Sequence, residues 1–501
     1  MSDHPIAKVL IVGGGTAGWM SAALLARFLK GTDTRITLLE SEEIGTVGVG
    51  EATVPLLHQF NAALGLNENE FVAATNGSFK LGIGFRDWGH VGNHFFHGFG
   101  DHGAAIDGLS PHHHWLAAGQ PFPIDELSLS AAIAARGRFA PPAADSRQLA
   151  ADYAYAFHFD AALYARYLRT YAENRGVTRI EGRLTSTALD PRTGHVASVT
   201  LADGRTLAAD LFLDCSGFAG LLIEQALQTG YEDWTHWLPV DRAVVVPTSR
   251  AGPPPSATLS TAKEAGWQWR IPLQHREGNG HVYSSAFTTD DRARDVLLAG
   301  IAGEPLAETR ILRFTTGRRR RFWNRNVVAI GLSGGFLEPL ESTSIQLIQT
   351  SLFRLTELFP DRNFAPELAD RFNRETINEY ERVRDFLILH YSPSQRPEPL
   401  WRHVANMALP DTLSAKLEAW KAQAEIPLLE QESYREPSWV SILLGNGIVP
   451  HTSASSADPS LIARTLANRR RDIAHLADSL PLHAAYIRRH CAAPDSLGEA
   501  A

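Results

Sequence analysis

The alternation of apolar and polar positions near the start of the chain predicts a β-α-β unit. An apolar run at Lys8–Val12 ends in a glycine turn at Gly13–Gly18. Apolar residues at helical spacing follow over Trp19–Leu29, and strand-like composition resumes at Arg35–Leu39. The unit spans roughly 30 residues, the usual size of this motif. We therefore predict a strand, a helix and a second strand.

The middle of the chain mixes helical and strand patterns. Ala151–Arg175 carries aromatic and aliphatic residues at helical spacing, and Gly176 follows as a stop signal, so a helix is predicted there. Val177–Leu213 predicts several short strands separated by turns. Proline-rich breaks at 140–145 and 252–256 predict surface connections between lobes rather than linkers of independent modules.

Helical patterns dominate the chain from Pro366 onward. The spacing of apolar residues predicts helices over Glu367–His390, Thr412–Ala424 and Ser460–Cys491. No segment recurs at a fixed period, so a repeat architecture is not expected.

Composition narrows the class of protein. The 501 residues are 44% hydrophobic and 20% charged, which is ordinary globular usage. The net charge of -8 gives no overall attraction to nucleic acid or anionic lipid. The two cysteines, Cys215 and Cys491, argue against a disulfide framework and favour a reducing compartment. The apolar stretch Ile6–Met20 has no basic segment before it and is rich in glycine, so we predict a cytoplasmic protein without a membrane span.

The glycine turn fits the dinucleotide fingerprint G-x-G-x-x-G. In that fingerprint Gly13 makes the tight turn, Gly15 lets a pyrophosphate approach the backbone, and Gly18 permits close packing of helix on strand. Glu40 stands 22 residues after Gly18 at the end of a predicted strand, where a carboxylate can accept hydrogen bonds from a ribose. The predicted dinucleotide-binding residues are Gly13, Gly15, Thr16, Ala17, Gly18 and Glu40.

Two later segments favour FAD over NAD. Asp210–Gly220 and Asn326–Gly335 each place an apolar strand before a glycine-containing turn. FAD-binding oxygenases and reductases use such returning segments to hold an extended dinucleotide. The chain carries one G-x-G-x-x-G, so a second bound nicotinamide nucleotide has no fingerprint. The sequence thus predicts an α/β flavoprotein that is reduced by something else.

Three further motifs stand out: WQWRIP at Trp267–Pro272, FKLG at Phe79–Gly82 and GFLEPLESTSI at Gly335–Ile345. They resemble motifs of the flavin-dependent tryptophan halogenase family, and the resemblance runs to about Pro450. The segment WQWRIP at Trp267–Pro272 matches the family signature W-x-W-x-I-P, although packing in a strand also suits its two tryptophans. FKLG at Phe79–Gly82 resembles the segment of the catalytic lysine. GFLEPLESTSI at Gly335–Ile345 resembles the segment that joins the flavin site to the substrate site.

The resemblance implies a fold and a domain organisation. The fold would be α/β, with a Rossmann-like FAD-binding core of the aromatic-hydroxylase type, an inserted β-rich substrate lobe and a helical C-terminal region. Core and lobe would interleave over residues 1–365, with lobe parts near 81–150 and 221–320. The helical region over 366–501 would complete the substrate site.

The same resemblance implies an activity and its partners. The family uses FADH2, O2 and chloride or bromide to halogenate an electron-rich aromatic compound through hypohalous acid, with indole, tryptophan or an indole-containing compound as the substrate class. FADH2 would come from a separate flavin reductase, and homodimerisation is implied too. Neither nucleic acid nor a membrane is an expected partner.

The resemblance also assigns catalytic and halide-binding roles. Lys80 would present the hypohalous acid, and Glu341 would accept the ring proton. The backbone N–H groups of Thr343 and Ser344 would hold the halide, as amides opening a helix do for other anions. A capped helix with an acidic first turn also explains this run of residues. The family usually has glycine at Ser344, which leaves the preference between chloride and bromide open.

Further residues match the flavin and substrate contacts of the family. Val47–Pro55 resembles the flavin loop and contributes Ala52 as a candidate flavin contact, and the resemblance adds Leu184, Phe336, Leu337 and Ile345 from other segments. The candidate substrate contacts are His97, Phe99, Ser342 and Trp439. Tryptophan-specific members carry a tyrosine pair where this chain has Trp439 and Val440. Indole or another aromatic compound, larger or carried by something else, is therefore favoured over free tryptophan.

The histidine groups and one arginine run fall outside the motifs described above. His90, His94 and His97 are close in sequence and His112–His114 are consecutive, but no cysteine is nearby and the context is loop-like. We expect these histidines to be solvated or to line the substrate site, and we predict no metal site. The run Arg318–Arg321 predicts a solvated strand edge or internal ion pairs.

Two alternative functions stay open. A flavin monooxygenase shares the nucleotide fold and would oxidise NADPH by itself when its substrate is present. A flavin-binding protein with vestigial catalytic residues would retain oxidised FAD and halogenate no arene.

Overall fold

The computed structural model describes residues 4–43 and 50–494. Its strands are β1 (Lys8–Val12), β2 (Arg35–Glu40), β3 (Gly50–Ala52), β4 (Ser78–Lys80), β5 (Gly82–Arg86), β6 (His94–Gly98), β7 (Ala156–Asp160), β8 (Thr178–Glu181), β9 (Leu184–Leu189), β10 (Val196–Leu201), β11 (Thr206–Ala208), β12 (Leu211–Asp214), β13 (Tyr231–Asp233), β14 (Arg242–Thr248), β15 (Thr258–Lys263), β16 (Gly266–Pro272), β17 (Glu277–Tyr283), β18 (Arg310–Arg313), β19 (Gly317–Arg319), β20 (Trp323–Asn324), β21 (Val327–Ala329) and β22 (Gly335–Phe336).

The α-helices are α1 (Thr16–Phe28), α2 (Leu56–Leu64), α3 (Glu68–Ala74), α4 (Pro111–Ala117), α5 (Leu129–Ala135), α6 (Ala161–Glu173), α7 (Asp290–Gly300), α8 (Thr343–Glu357), α9 (Pro366–Tyr391), α10 (Pro399–Ala405), α11 (Asp411–Gln423), α12 (Glu436–Gly445), α13 (Pro459–Ser479) and α14 (His483–His490). None of the described helices is long and apolar enough to cross a membrane.

A six-stranded sheet forms the nucleotide-binding core, in the order β20-β21-β12-β1-β2-β8. Strand β1 lies parallel to both β2 and β12, and β21 lies parallel to β12. The predicted β-α-β unit is thus confirmed, and the two later strand–turn segments return to it as predicted. Because parallel strands present their carboxyl ends at one edge, the three turns that follow β1, β12 and β21 meet there.

A second sheet carries the aromatic motifs. Its seven strands run in the order β18-β14-β17-β16-β15-β5-β6, so the tryptophan signature on β16 lies two strands from β5. A separate three-stranded sheet, β3-β7-β4, holds Lys80 on its edge strand. The mixed α/β architecture agrees with the predicted fold class, while the domain boundaries given above stay predictions.

Two helix predictions are wrong in part. Ala151–Arg175 is not one helix: β7 occupies its first half, fully buried between β3 and β4, and α6 follows it. Asp160 separates the two because its carboxylate accepts hydrogen bonds from the backbone N–H groups of Ala162 and Leu163 and so caps α6. Ser460–Cys491 forms two helices, α13 and α14, because Pro481 cannot continue a helix.

The helical region otherwise follows its sequence pattern. Helices α9 and α11 confirm the predictions for Glu367–His390 and Thr412–Ala424. The expected loop around His112–His114 is wrong, because these residues are buried on α4. The internal ion pairs predicted for the arginine run are confirmed at Arg318 and Arg319, whose buried guanidinium groups contact carboxylates.

Candidate active site

The glycine turn between β1 and α1 has the shape of a dinucleotide cradle. Gly13 has a φ of +114°, and a Cβ there would lie 2.2 Å from the carbonyl oxygen of Cys215. A Cβ on Gly18 would lie 1.8 Å from the carbonyl oxygen of Gly13. A Cβ on Gly15 would meet no atom within 4 Å, so the turn is open on the side where α1 begins. These residues therefore fit the pyrophosphate of FAD at a helix N-terminus.

Glu40 is held firmly at the end of β2. Its Oε2 accepts a hydrogen bond from Trp19 Nε1 at 3.3 Å, and its Oε1 accepts one from Arg179 Nε. Arg179 also pairs with Glu42 and Glu181, at 2.9 and 2.7 Å. Sequence reasoning missed Arg179 because it lies on another strand of the sheet. Ribose binding by Glu40 stays a prediction.

The other candidate flavin contacts are spread around this cradle. Ala17 on α1 approaches Gly331, where a Cβ would be 2.9 Å from the Ala17 Cβ. The ring of Phe336 packs 5.4 Å from that of Phe218, which is exposed. Ala52 is buried on β3, Leu184 is partly buried on β9, and Leu337 and Ile345 lie in the main hydrophobic core. Val47–Val49 lie outside the described residues, and flavin contact by these side chains stays a prediction.

Lys80 is fully buried, with 0% of its surface exposed. Its Nζ donates hydrogen bonds to the Thr53 carbonyl oxygen and to Ser342 Oγ, both at 2.9 Å, and lies 5.2 Å from the centre of the Phe99 ring. Burial lowers the pKa of Lys80 to about 7, against the opposing attraction of Glu341. At neutral pH the side chain is therefore present both as ammonium and as free amine.

A histidine far along the chain fixes the strand that carries Lys80. One edge of β4 pairs with β7, and on the other edge the Phe79 N–H donates to His483 Nε2 at 3.1 Å. His483 Nδ1 donates to the Pro254 carbonyl oxygen at 2.8 Å. Burial lowers the pKa of His483 to about 4, which keeps Nε2 an acceptor at neutral pH. No sequence signal marks this histidine.

Two histidines surround the carboxylate of Glu341. His97 Nδ1 lies 2.9 Å from Oε2, and His390 Nε2 lies 2.8 Å from Oε1. His390 Nδ1 lies 2.8 Å from the Phe386 carbonyl oxygen, so both of its nitrogens face acceptors. Both contacts are hydrogen bonds when both nitrogens carry a proton.

The histidines decide the charge state of Glu341. Burial alone would raise the pKa of this carboxyl, but His97 and His390 together lower it to about 2. Glu341 is therefore an ionised acceptor at every pH where the protein would be assayed. His390 lies in the buried C-terminal part of helix α9, and its role has no local sequence signature.

The candidate halide residues open helix α8. Ser342 adopts the left-handed conformation with φ +60°, and the helix begins at Thr343. Thr343 is buried, and its hydroxyl has no hydrogen-bond partner in the described part of the chain. Ser344 is half-buried. A helix of 15 residues presents unpaired N–H groups at this end, which suits an anion.

Aromatic side chains form a wall beside Glu341. The ring centres of His97 and Phe99 lie 6.5 Å apart, and Tyr434 stacks on Phe386 at 3.8 Å. The buried Tyr434 hydroxyl finds no partner within residues 4–43 and 50–494. The ring centre of Trp439 lies 4.9 Å from that of Phe386. Trp439 is only 1% exposed, and Lys416 Nζ lies 4.0 Å from its ring. Sequence reasoning therefore found His97 and Phe99 but missed Tyr434 and Phe386.

The tryptophan signature is tied to a second buried carboxyl. Trp267 Nε1 donates to Glu338 Oε2 at 3.1 Å, and the Tyr391 hydroxyl donates to the same oxygen at 2.7 Å. Burial raises the pKa of Glu338 to about 7. The motif thus packs in the core and also anchors the segment that leads to Glu341.

A Rossmann-like FAD-binding sheet joined to a buried lysine and an ionised carboxylate defines a flavin-dependent enzyme. Comparison with known proteins then identifies its family: the family model for tryptophan halogenase matches residues 8–460, and the chain belongs to this family. It is 35% identical to tryptophan 6-halogenase SttH of Streptomyces toxytricini, over 96% of this chain and 97% of SttH.

Two further comparisons agree. The chain is 36% identical to tryptophan 7-halogenase RebH of Lentzea aerocolonigenes, over 89% of this chain and 90% of RebH. The structure of BrvH, a flavin-dependent halogenase from Brevundimonas sp. BAL3, superposes with a TM-score of 0.94 at 44% identity, covering 97% of this chain and 99% of BrvH. The family prediction from sequence is confirmed, and the protein is an FADH2-dependent halogenating enzyme.

Proposed function

We propose that the protein halogenates indole or another electron-rich aromatic compound with chloride or bromide, using Lys80 and Glu341. The observation that carries the proposal is the buried lysine, which donates a hydrogen bond to Ser342, the residue next to Glu341. The names of SttH and RebH as tryptophan halogenases support an indole-type substrate. The tryptophan and valine at 439 and 440, both buried, favour an arene without the charged groups of a free amino acid.

Reduced FAD, when bound, would supply two electrons to O2, and O2 would take the other two from the halide, giving hypohalous acid and water. The N–H groups of Thr343 and Ser344 would hold the halide at the start of α8. A separate flavin reductase is the expected electron donor, since the chain carries one dinucleotide fingerprint. Homodimerisation stays a prediction.

Lys80 would deliver the electrophilic halogen. Its ammonium form can donate a hydrogen bond to hypohalous acid, and its free amine can take the halogen from hypohalous acid to form a haloamine, with the oxygen leaving as water. Both forms are present near pH 7 because burial lowers the pKa of Lys80 to about 7. The hydrogen bonds from Nζ to Thr53 and Ser342 hold the side chain in one position, so the halogen would be presented from a fixed point.

Glu341 would remove the ring proton. Halogenation gives a cationic ring that is strongly acidic at the halogenated carbon, so a weakly basic carboxylate is sufficient as acceptor. A pKa of about 2 keeps Glu341 ionised and ready for this step. Its two histidine partners fix the carboxylate and repay the cost of burying its charge.

Lys80→Met tests this function. The assay incubates an arene panel led by indole and tryptophan with enzyme, FAD, a generic flavin reductase and chloride or bromide, and detects products by mass spectrometry. We expect halogenated product from the wild type and a loss of at least about 10³-fold in the variant, with FAD affinity unchanged. Lys421→Met, which removes an exposed lysine, is the matched control.

Three outcomes would contradict the proposal. Regioselective halogenation by Lys80→Met would remove the lysine from the mechanism. Hydroxylated product, with NADPH oxidised by the protein alone, would favour a monooxygenase. FAD binding without product from any arene would favour a vestigial site.

A further inference from the structure

A group of metal-ligand side chains lies away from Lys80. His112 and His113 are buried on α4, and Glu436 is the first residue of α12. One ligand atom from each of the three lies within 4.8 Å of the others. Two imidazoles and one carboxylate are a donor set that suits zinc and similar divalent ions. Nothing in the proposed halogenation uses these residues.

The hydrogen bonds around His112 leave its other nitrogen directed at the carboxylate. His112 Nε2 donates to the Ala424 carbonyl oxygen at 3.0 Å, and His112 Nδ1 lies 3.7 Å from Glu436 Oε1. In the neutral ring Nδ1 therefore carries a lone pair that faces an anionic oxygen. These two groups repel each other unless a proton, a water molecule or a cation lies between them.

Supporting contacts also hold the other two residues. Ser110 Oγ donates to Glu436 Oε2 at 2.9 Å, which leaves Oε1 for a further partner. The ring of His113 lies 4.2 Å from that of His112, and its Nδ1 has a long contact of 3.4 Å with the Ala454 N–H. Hydrogen bonds of this kind to a carbonyl and a hydroxyl orient the ligands in many metal sites.

We propose that His112, His113 and Glu436 bind one Zn²⁺ ion, with water as a fourth ligand. In a tetrahedral site with bonds of about 2.0–2.2 Å, ligand atoms lie about 3.4 Å apart. The observed 3.7 Å between His112 and Glu436 is close to this spacing. The ion would tie α4 to α12, the helix that carries Trp439 next to the aromatic wall.

The sequence predicts no metal here because the context is loop-like and no cysteine is nearby. The structure changes the first premise, since the histidines lie on a helix, and it brings the Glu436 carboxylate to them from a distant part of the chain. An ion pair between a protonated His112 and Glu436 is the competing explanation, and it needs no metal.

Metal titration of the full chain, purified without a polyhistidine tag and stripped by a chelator, tests the proposal. Zn²⁺ is titrated by calorimetry, and Co²⁺ is followed by its visible absorption. We expect one equivalent to bind and the melting temperature to rise with metal concentration. Glu436→Gln, which keeps an acceptor for Ser110, and His113→Ala should each weaken binding at least about 100-fold.

The control is His90→Ala, which removes an exposed histidine and should leave the affinity unchanged. Circular dichroism establishes that each variant is folded. Absence of stoichiometric binding, or binding that neither Glu436→Gln nor His113→Ala weakens, would overturn the proposal in favour of the ion pair. The readout needs neither flavin nor arene, so it is independent of the proposed halogenation.

Discussion

Glu338 and Glu341 are buried carboxyls three residues apart on one segment, yet they have opposite acidities. Burial raises the pKa of Glu338 to about 7, whereas two histidines lower that of Glu341 to about 2 despite equal burial. Glu338 receives hydrogen bonds from the neutral donors Trp267 and Tyr391. The comparison teaches that direct contact with two histidines keeps a buried carboxyl ionised here, whereas hydrogen bonds from neutral donors and the weaker attraction of His390 do not.

The two carboxyls also contact different parts of the molecule. Glu341 contacts His97 and His390 and attracts the buried Lys80 ammonium. Glu338 faces the tryptophan signature, and its Oε1 has no hydrogen-bond partner among the residues described. With a pKa of about 7, the Glu338 carboxyl is uncharged below that pH and can remain buried without a counterion.

The largest effect should come from Glu341→Gln, which removes the charge but little volume. We expect turnover to fall about 10²- to 10⁴-fold because the ring proton loses its acceptor. The pKa of Lys80 should also fall further, since its attraction to Glu341 is lost. Single-turnover mass spectrometry with the best arene measures the first effect. Undiminished turnover would place the proton acceptor elsewhere.

His390→Gln should have an intermediate effect. The variant keeps one hydrogen-bond donor but loses the attraction of the imidazole, so the pKa of Glu341 should rise. A carboxylate works only above its pKa, so the kcat profile of the variant should show an acid limb at a pH where Glu341 of the wild type is still fully ionised. We expect turnover at pH 8 to fall about tenfold or less. Absence of that limb would show that His97 alone holds Glu341 ionised.

Glu338→Gln should change activity least, by no more than about threefold, and should instead change stability. The folded pKa of Glu338, about 7, lies above its unfolded value, so its contribution is complete below about pH 4.5 and is lost as pH rises to 7. The loss is at most about 1.4 kcal/mol per pH unit. Urea unfolding at pH 5 and pH 8 should therefore show the variant gaining on the wild type at pH 8. An equal difference at both pH values would contradict this account.

Local patterns predicted the parts of the fold that are set by local geometry. The glycine turn at Gly13–Gly18 and the strands that return to it follow from backbone requirements that short segments encode. The helix predicted over Ala151–Arg175 failed because tertiary pairing with β3 and β4 decided the state of β7, which aromatic spacing alone does not reveal.

The partners of the site residues were beyond sequence reasoning for a different reason. His390 and His483 act through single hydrogen bonds to residues 49 and 404 positions away, and a lone histidine on a helix has no distinguishing pattern. The ring of Trp439 packs 4.9 Å from that of Phe386, and its contact with a substrate stays a prediction. Resemblance locates a motif along the chain, whereas the groups that its side chains contact depend on packing between distant segments.

The hydrogen bond between Phe79 and His483 also sets the order in which the active site can be built during translation. Residue 483 leaves the ribosome 404 residues after residue 79, which at about 5–20 residues per second is a delay of about 20–80 s. Throughout that interval the strand of Lys80 lacks one of its edge partners. The glycine turn and the strands that return to it therefore leave the ribosome well before the last edge partner of the Lys80 strand.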